Sequence, residues 1–188
     1  MGIAVMEVDP KEQLDLARER VIDTIANNMN LYGITDSVGR LFGLLFFSNS
    51  PMTLDEMKDE LGMSKTSMST SVRNLMDLKM VDKVWKKGVR KDLYQAEEDW
   101  YQTFIDLFAI KWRPAISMNV STIEKSMKDL KILAKREDID EVIREEANQL
   151  IEKLYSCLAY YQWLSKLMDS FESHEIFEFI PRPDEKQR

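Results

Sequence analysis

The spacing of apolar residues divides the chain into helices of different character. "VDPKEQLDLARERVIDTIANNMNLYG" places Asp9 as an N-cap, Pro10 at the first helical position and Glu12 three residues after the cap. Leu14, Ala17, Val21, Ile25 and Met29 follow at helical spacing, so that face is expected to point inward, with Gly33 ending the element. "ITDSVGRLFGLLFFSNSP" is apolar nearly all round, which predicts a buried helix ending before Asn49, Ser50 and Pro51. "TLDEMKDELG" carries a capping box, Thr53 with Glu56, ahead of a short helix with Leu54, Met57 and Leu61 inward and Gly62 at its end. Ser64 then caps a helix running to about Leu78, with Met68, Val72, Leu75 and Met76 on its buried side.

Beyond residue 80 the period changes. In "MVDKVWKKGVRKDLYQA", Val84 and Trp85 precede Lys87 and Gly88, and Val89, Leu93 and Tyr94 follow, which predicts a β-hairpin around a glycine turn. A long helix is predicted from residue 100 to about 135, with Trp100, Phe104, Leu107, Phe108 and Lys111 on one side. Pro114 is expected to bend or break it. The last helix is predicted from Asp138, with Glu141 as capping-box partner, to about Ser170. Its stripe is Ile143, Leu150, Leu154, Cys157, Leu158, Tyr161, Leu164 and Met168. The tail, "FIPRPDEKQR", is too polar and proline-rich to pack far, and no internal repeat is visible.

The segment from Ser64 to Ser71 holds six hydroxyl residues in eight, where a helix favours Ala, Glu or Lys. With the apolar positions turned inward, Thr66, Ser69, Thr70 and Arg73 line the opposite face. Small hydroxyls allow close approach to DNA and can donate to phosphates or base edges, and Arg73 is suited to a bidentate contact with guanine. Lys65 and Ser67, at the start of the same helix, complete the expected contact set. Charge supports this reading. The chain carries −7, yet residues 63–95 hold eight basic and three acidic residues, a local +5 that leaves −12 elsewhere. The hairpin tip, Lys86, Lys87, Arg90 and Lys91, is expected to follow phosphates or the adjacent minor groove.

The resulting fold class is mainly α: a winged helix-turn-helix DNA-binding lobe with a small β-hairpin wing, plus long C-terminal dimerisation helices. The boundaries are residues 1–96 for the DNA-binding region, whose first helix can join a dimer interface, 97–172 for the helical dimerisation and effector region, and 173–188 for the tail. The long helices expose more apolar surface than a winged domain can cover, so a homodimer on an inverted-repeat operator in double-stranded DNA is expected.

"GMSKTSMSTSVRNL" and "WKKGVRKDLYQAEEDW" resemble the GbsR group of MarR-like winged-helix repressors, and the likeness extends from the first helix to about Phe171. The second motif is the more specific, a basic wing running into an acidic-aromatic helix start. The resemblance implies a dimeric repressor of genes for osmoprotectant uptake or glycine betaine synthesis, some members of the group sensing choline. The wing departs from ordinary MarR proteins in lacking their acidic-arginine tip.

The remaining residues argue against an enzyme. His174 is the sole histidine and Cys157 the sole cysteine, too few for a zinc site and poor material for a nucleophile-base pair. No glycine-rich phosphate loop occurs, and Glu97-Glu98 and Glu145-Glu146 read as solvated helix faces. No cofactor or metal is called for. The rival class is an acidic helical protein-interaction module without specific DNA binding, which would not be retained on heparin or DNA-cellulose at low salt. One cysteine, the lack of a basic-then-apolar leader, and a longest apolar run of only residues 41–47 lead to the expectation of a cytoplasmic protein with no membrane partner. Aromatic residues crowd both long helices. Two readings of these aromatics stay open: they pack the core or a dimer, or Trp100, Tyr101, Trp112, Tyr160 and Tyr161 form a cage for a quaternary ammonium effector such as choline at the junction of the DNA-binding lobe and the long helices. Phe104 and Phe108 are assigned to the core.

Overall fold

The computed structural model describes residues 9–183; the last five residues of the predicted tail, 184–188, lie outside the described residues. The chain divides into two compact units, one running through Thr103 and the other beginning at Phe104.

The first unit opens with α1 (Pro10–Met29), capped by Asp9, whose carboxylate accepts from the Glu12 N–H. A 3-10 turn (Asn30–Tyr32) ends on Gly33 in the left-handed conformation, the turn that glycine admits without strain. Helix α2 (Asp36–Phe46) buries Val38, Leu41, Phe42 and Leu45, as its all-round apolarity requires. It packs on α1 through backbone-close contacts, because a Cβ on Gly39 would sit 2.7 Å from the Ala26 Cα and one on Gly43 would sit 2.9 Å from the Ile22 side chain. Arg40 adds ion pairs to Glu19 and Asp23 across the same pair of helices.

The buried face of α1 is Ile22, Ala26 and Met29. This corrects the sequence expectation at the helix start, since Leu14 and Val21 are exposed. The reason is the partner: the two glycines of α2 receive Ile22 and Ala26 and leave the neighbouring stripe uncovered.

Helices α3 (Leu54–Leu61) and α4 (Lys65–Asp77) form the helix-turn-helix pair. Both halves of the Thr53–Glu56 capping box are present, Gly62 is left-handed at the turn, and the Ser64 hydroxyl accepts from the Ser67 N–H. Met57, Met68 and Leu75 are fully buried. Ser71 is also buried, whereas Met76, expected inward, is 37% exposed.

Strands β1 (Val81–Val84) and β2 (Leu93–Ala96) pair antiparallel with Val81 opposite Ala96 and Val84 opposite Leu93. The connection is an eight-residue loop, 85–92, that contains the expected glycine turn at Gly88. Met52 exchanges both backbone hydrogen bonds with Tyr94, at 2.9 and 2.8 Å, extending the small sheet by one bridge.

The second unit is built on α5 (Trp100–Ala134), which starts in the first unit, and α6 (Glu141–Glu172). Helix α5 is continuous through Pro114, so the expected break does not occur. A proline inside a helix removes one i→i−4 bond at a cost of about 3 kcal/mol or more, but long helical segments flank it and Ile116, two residues on, packs on Leu164 and Met168. A second cluster joins Ile123, Met127 and Ile151. Leu154, Leu158 and Tyr161 pack against this seam, whereas Ile143, Leu150 and Cys157, placed on the same stripe from sequence, face outward.

The cap of α6 is Asp140, whose side chain accepts from the Val142 N–H, not Asp138. Asp138 instead pairs with Arg136, and that guanidinium holds its carboxyl down at about 2. Arg113 on α5 donates to Asp169, Glu172 and Ser165 on α6. A short helix, α7 (Ile176–Phe179), lies within the segment assigned to the tail, 173–188, and buries none of its residues. Among the described residues, no helix is long and apolar enough to cross a membrane.

Candidate nucleic-acid interface

Helix α4 presents Lys65, Thr66, Ser67, Thr70 and Arg73 to solvent, with Ser69 half-buried beside them. The core residues Met68, Val72 and Leu75 fix this orientation from behind. Two of the hydroxyls are occupied locally: Thr70 donates to the Thr66 carbonyl at 3.0 Å, and Ser67 lies 2.9 Å from the Ser64 hydroxyl that donates to it. Each still has acceptor or donor capacity for a phosphate or base edge. The first turn of α4 holds no acidic residue, whereas that of α3 holds Asp55 and Glu56. The positive end of the α4 dipole is therefore left open to anions.

The wing brings its cations to the same region. Lys91 Nζ lies 2.8 Å from Asp55, and Lys65 Nζ lies 3.7 Å from the same carboxylate. One aspartate at the start of α3 thus joins the wing to the start of α4. Its hydrogen bond to Lys91, with the charge of Lys65 behind it, holds the Asp55 carboxyl below the usual aspartate range and pushes Lys91 up. Lys83 pairs with Asp92 at 2.8 Å across the base of the loop. At the tip, a backbone hydrogen bond from Val89 to Lys86 and a left-handed Gly88 close the turn. Arg73, Lys86, Lys87 and Arg90 make no ion pair among the described residues. The arrangement is a hydroxyl-and-arginine helix face beside a cationic loop, with Asp55 drawing two of the lysines together.

All ten residues expected to meet DNA lie on these two elements of the first unit. Sequence reasoning missed Asp55 as the organiser and Met52 as the residue that adds a bridge to Tyr94 of β2. Asp55 was legible only as an acidic first-turn residue of α3, and its partners lie 10 and 36 residues away.

The residues assigned to an aromatic cage have varied surroundings. The Trp100 ring packs on Phe42 and Phe46 of α2 with centroids 5.6 and 4.6 Å apart. Tyr161 packs against both apolar clusters of the second unit. Tyr160 is exposed and makes an edge contact with Tyr161 at 5.2 Å, with Trp163 stacked 6.4 Å away. Tyr101 and Trp112 are also exposed.

Comparison with known proteins decides the family. Residues 100–178 match the model of the GbsR family transcriptional regulator C-terminal helical hairpin. The HTH-type transcriptional repressor GbsR of Bacillus subtilis (strain 168) is 47% identical, over 89% of this chain and 93% of that protein. The HTH-type transcriptional repressor OpcR of the same organism is 43% identical, over 93% and 96% of the two chains. The chain belongs to the GbsR family of transcriptional regulators. The putative HTH-type transcriptional regulator YvaV is 41% identical over 95% of this chain and 100% of its own length. A solved structure described as a transcriptional regulator superposes with a TM-score of 0.51 at 14% identity, covering 84% of this chain and 99% of that one, which supports the winged-helix fold. The regulator assignment also removes the enzyme class.

Proposed function

We propose that this GbsR-family regulator is a homodimeric repressor that binds an inverted-repeat operator in double-stranded DNA. The observation that carries the reading is the meeting of Lys65 and Lys91 on Asp55, which sets the cationic wing beside the exposed hydroxyl-and-arginine face of α4. Thr66, Ser69, Thr70 and Arg73 read base edges in the major groove, while Lys86, Lys87 and Arg90 hold the flanking backbone. The repressor sign is carried by the curated relatives named above.

The dimer reading rests on apolar side chains that the chain itself leaves uncovered: Leu14 and Val21 on α1, and Ile143 and Leu150 on α6. The regulated genes are those of osmoprotectant uptake or synthesis, as the resemblance of the helix-turn-helix and wing motifs implies. The effector is a quaternary ammonium compound such as choline, held on aromatic faces. Trp100, Tyr101, Trp112 and Tyr160 each carry exposed aromatic surface of the kind that attracts such a cation.

Footprinting on the promoter beside its own gene, with light scattering at micromolar concentration, tests this reading. Two protected half-sites about 10 base pairs apart, or a multiple, and a dimeric mass are expected. Arg73→Ala should relax discrimination by about 1–3 kcal/mol at one base pair, and Lys87→Ala should lower the salt slope by about one on all DNA. Equal loss of random and operator DNA in Arg73→Ala contradicts the placement of α4. Titration of choline and glycine betaine into the intact protein, with operator release followed in parallel, tests the effector. No millimolar-or-better binding by either removes that part of the proposal.

A further inference from the structure

Trp85 is the first residue of the wing loop and is 81% exposed. It has no ring, hydrogen-bond or cation partner among the described residues. Trp100, by contrast, is seated against Phe42 and Phe46. A bare indole is unfavourable in water, so a residue of this size at a loop start calls for a surface to cover it. Its neighbours indicate the chemistry of that surface. Lys86 and Lys87 follow directly, Arg90 stands across the turn, and Lys91 is held on Asp55 together with Lys65 at the start of α4. An apolar protein surface would be a poor match for an indole set among four cations, whereas a polyanion with apolar walls suits it.

The DNA minor groove is such a surface. It is about 6 Å wide, which admits a flat ring edge-on between sugar walls. Its floor presents only acceptors at A·T pairs, while a G·C pair adds the guanine amino donor. Indole is a donor with no acceptor, so it complements an A·T floor and is opposed by the guanine amino group.

We propose that Trp85 enters the minor groove beside the half-site read by α4 and gives the wing a preference for A·T pairs there. This rests on the DNA-binding reading above and adds a specificity residue to it.

The test uses the full-length protein and duplexes carrying the footprinted operator, with the flanking pairs under the wing made A·T, G·C or inosine·cytosine. Inosine keeps the major-groove face of guanine but lacks its minor-groove amino group. Wild type should bind the A·T and inosine·cytosine duplexes several-fold tighter than the G·C duplex. Trp85→Ala, checked for folding by circular dichroism, should bind all three alike with its salt slope unchanged. Lys87→Ala should keep the preference and lose about one from the slope.

Wild-type binding without the preference overturns the proposal alone, as does a preference that survives in Trp85→Ala. Weakened self-association of Trp85→Ala by light scattering would assign the indole to a second copy of the chain and overturn it as well. Failure of wild type to bind any of the duplexes overturns the DNA-binding reading and this proposal with it.

Discussion

The two units solve the problem of burying apolar surface differently. In the first, elements from several directions enclose Leu41, Phe42, Met57, Met68, Leu75 and Met80, all at 0% exposure. In the second, two long helices meet along a seam of three-residue clusters, and each helix keeps an uncovered outer side. A pair of helices has a line of contact but no interior, so it can satisfy only one stripe on each member. Helix α6 has apolar residues on more than one stripe, Val142, Ile143 and Leu150 being exposed. The difference teaches where the proposed dimer has to form. The hydroxyl-and-arginine face of α4 stands on a unit with its own core, and the surplus apolar surface lies mainly on the hairpin and on α1.

The largest effect should come from cutting into the enclosed core. Met57→Ala is expected to cost about 2–5 kcal/mol in chemical denaturation, and Ile151→Ala, 7% exposed on the seam, markedly less. Equal losses would erase the contrast between core and seam. Next in size, Leu150→Glu should weaken self-association about a hundredfold, roughly 2.7 kcal/mol, while the helical signal stays at the wild-type level. A dimer that tolerates this change would place the interface elsewhere.

The smallest change concerns the surface of the first unit. Asp55→Asn releases Lys65 and Lys91 from their shared carboxylate and removes a negative charge facing the phosphates. Binding to random DNA should tighten a few-fold with a steeper salt slope and little change in stability, because exposed ion pairs contribute little. Unchanged random-DNA binding would show that the two lysines do not face the duplex. The pH dependence has a definite sign. Asp55 titrates below its unfolded value, so its pairing is intact above the ordinary aspartate range and is lost as pH falls through the lowered folded value.

Much of this architecture was legible in the sequence because its signals are local. The Thr53–Glu56 box, the Gly62 turn, the Ser64 cap and the hydroxyl face of α4 each depend on residues within four positions of one another. What escaped was the choice between equivalent local options. On α1, two apolar stripes compete, and Gly39 and Gly43 on another helix select the one containing Ile22 and Ala26. Before α6, Asp138 and Asp140 are both competent caps, and Arg136 claims the first. The outward positions of Ile143 and Leu150 were hidden for the same reason, since periodicity reports that a stripe is apolar and not which surface covers it. In the proposed DNA interface, residue types marked the exposed hydroxyl face of α4, while the union of Lys65 and Lys91 through Asp55 needed the fold.

The close approach of Gly39 to Ala26 also bears on the order in which the molecule assembles. Helices α1 and α2 are adjacent in the chain and joined by a short turn, so bringing them together closes a small loop and sacrifices little chain entropy. The bridge of Met52 to Tyr94 and the seat of Trp100 on Phe42 must wait for spans of 42 and 58 residues. The α1–α2 pair is therefore expected to be the nucleus on which later elements condense. In stopped-flow experiments Gly39→Ala, whose new methyl would meet the Ala26 backbone, should slow refolding more than it speeds unfolding. The reverse split would move the nucleus to another part of the fold.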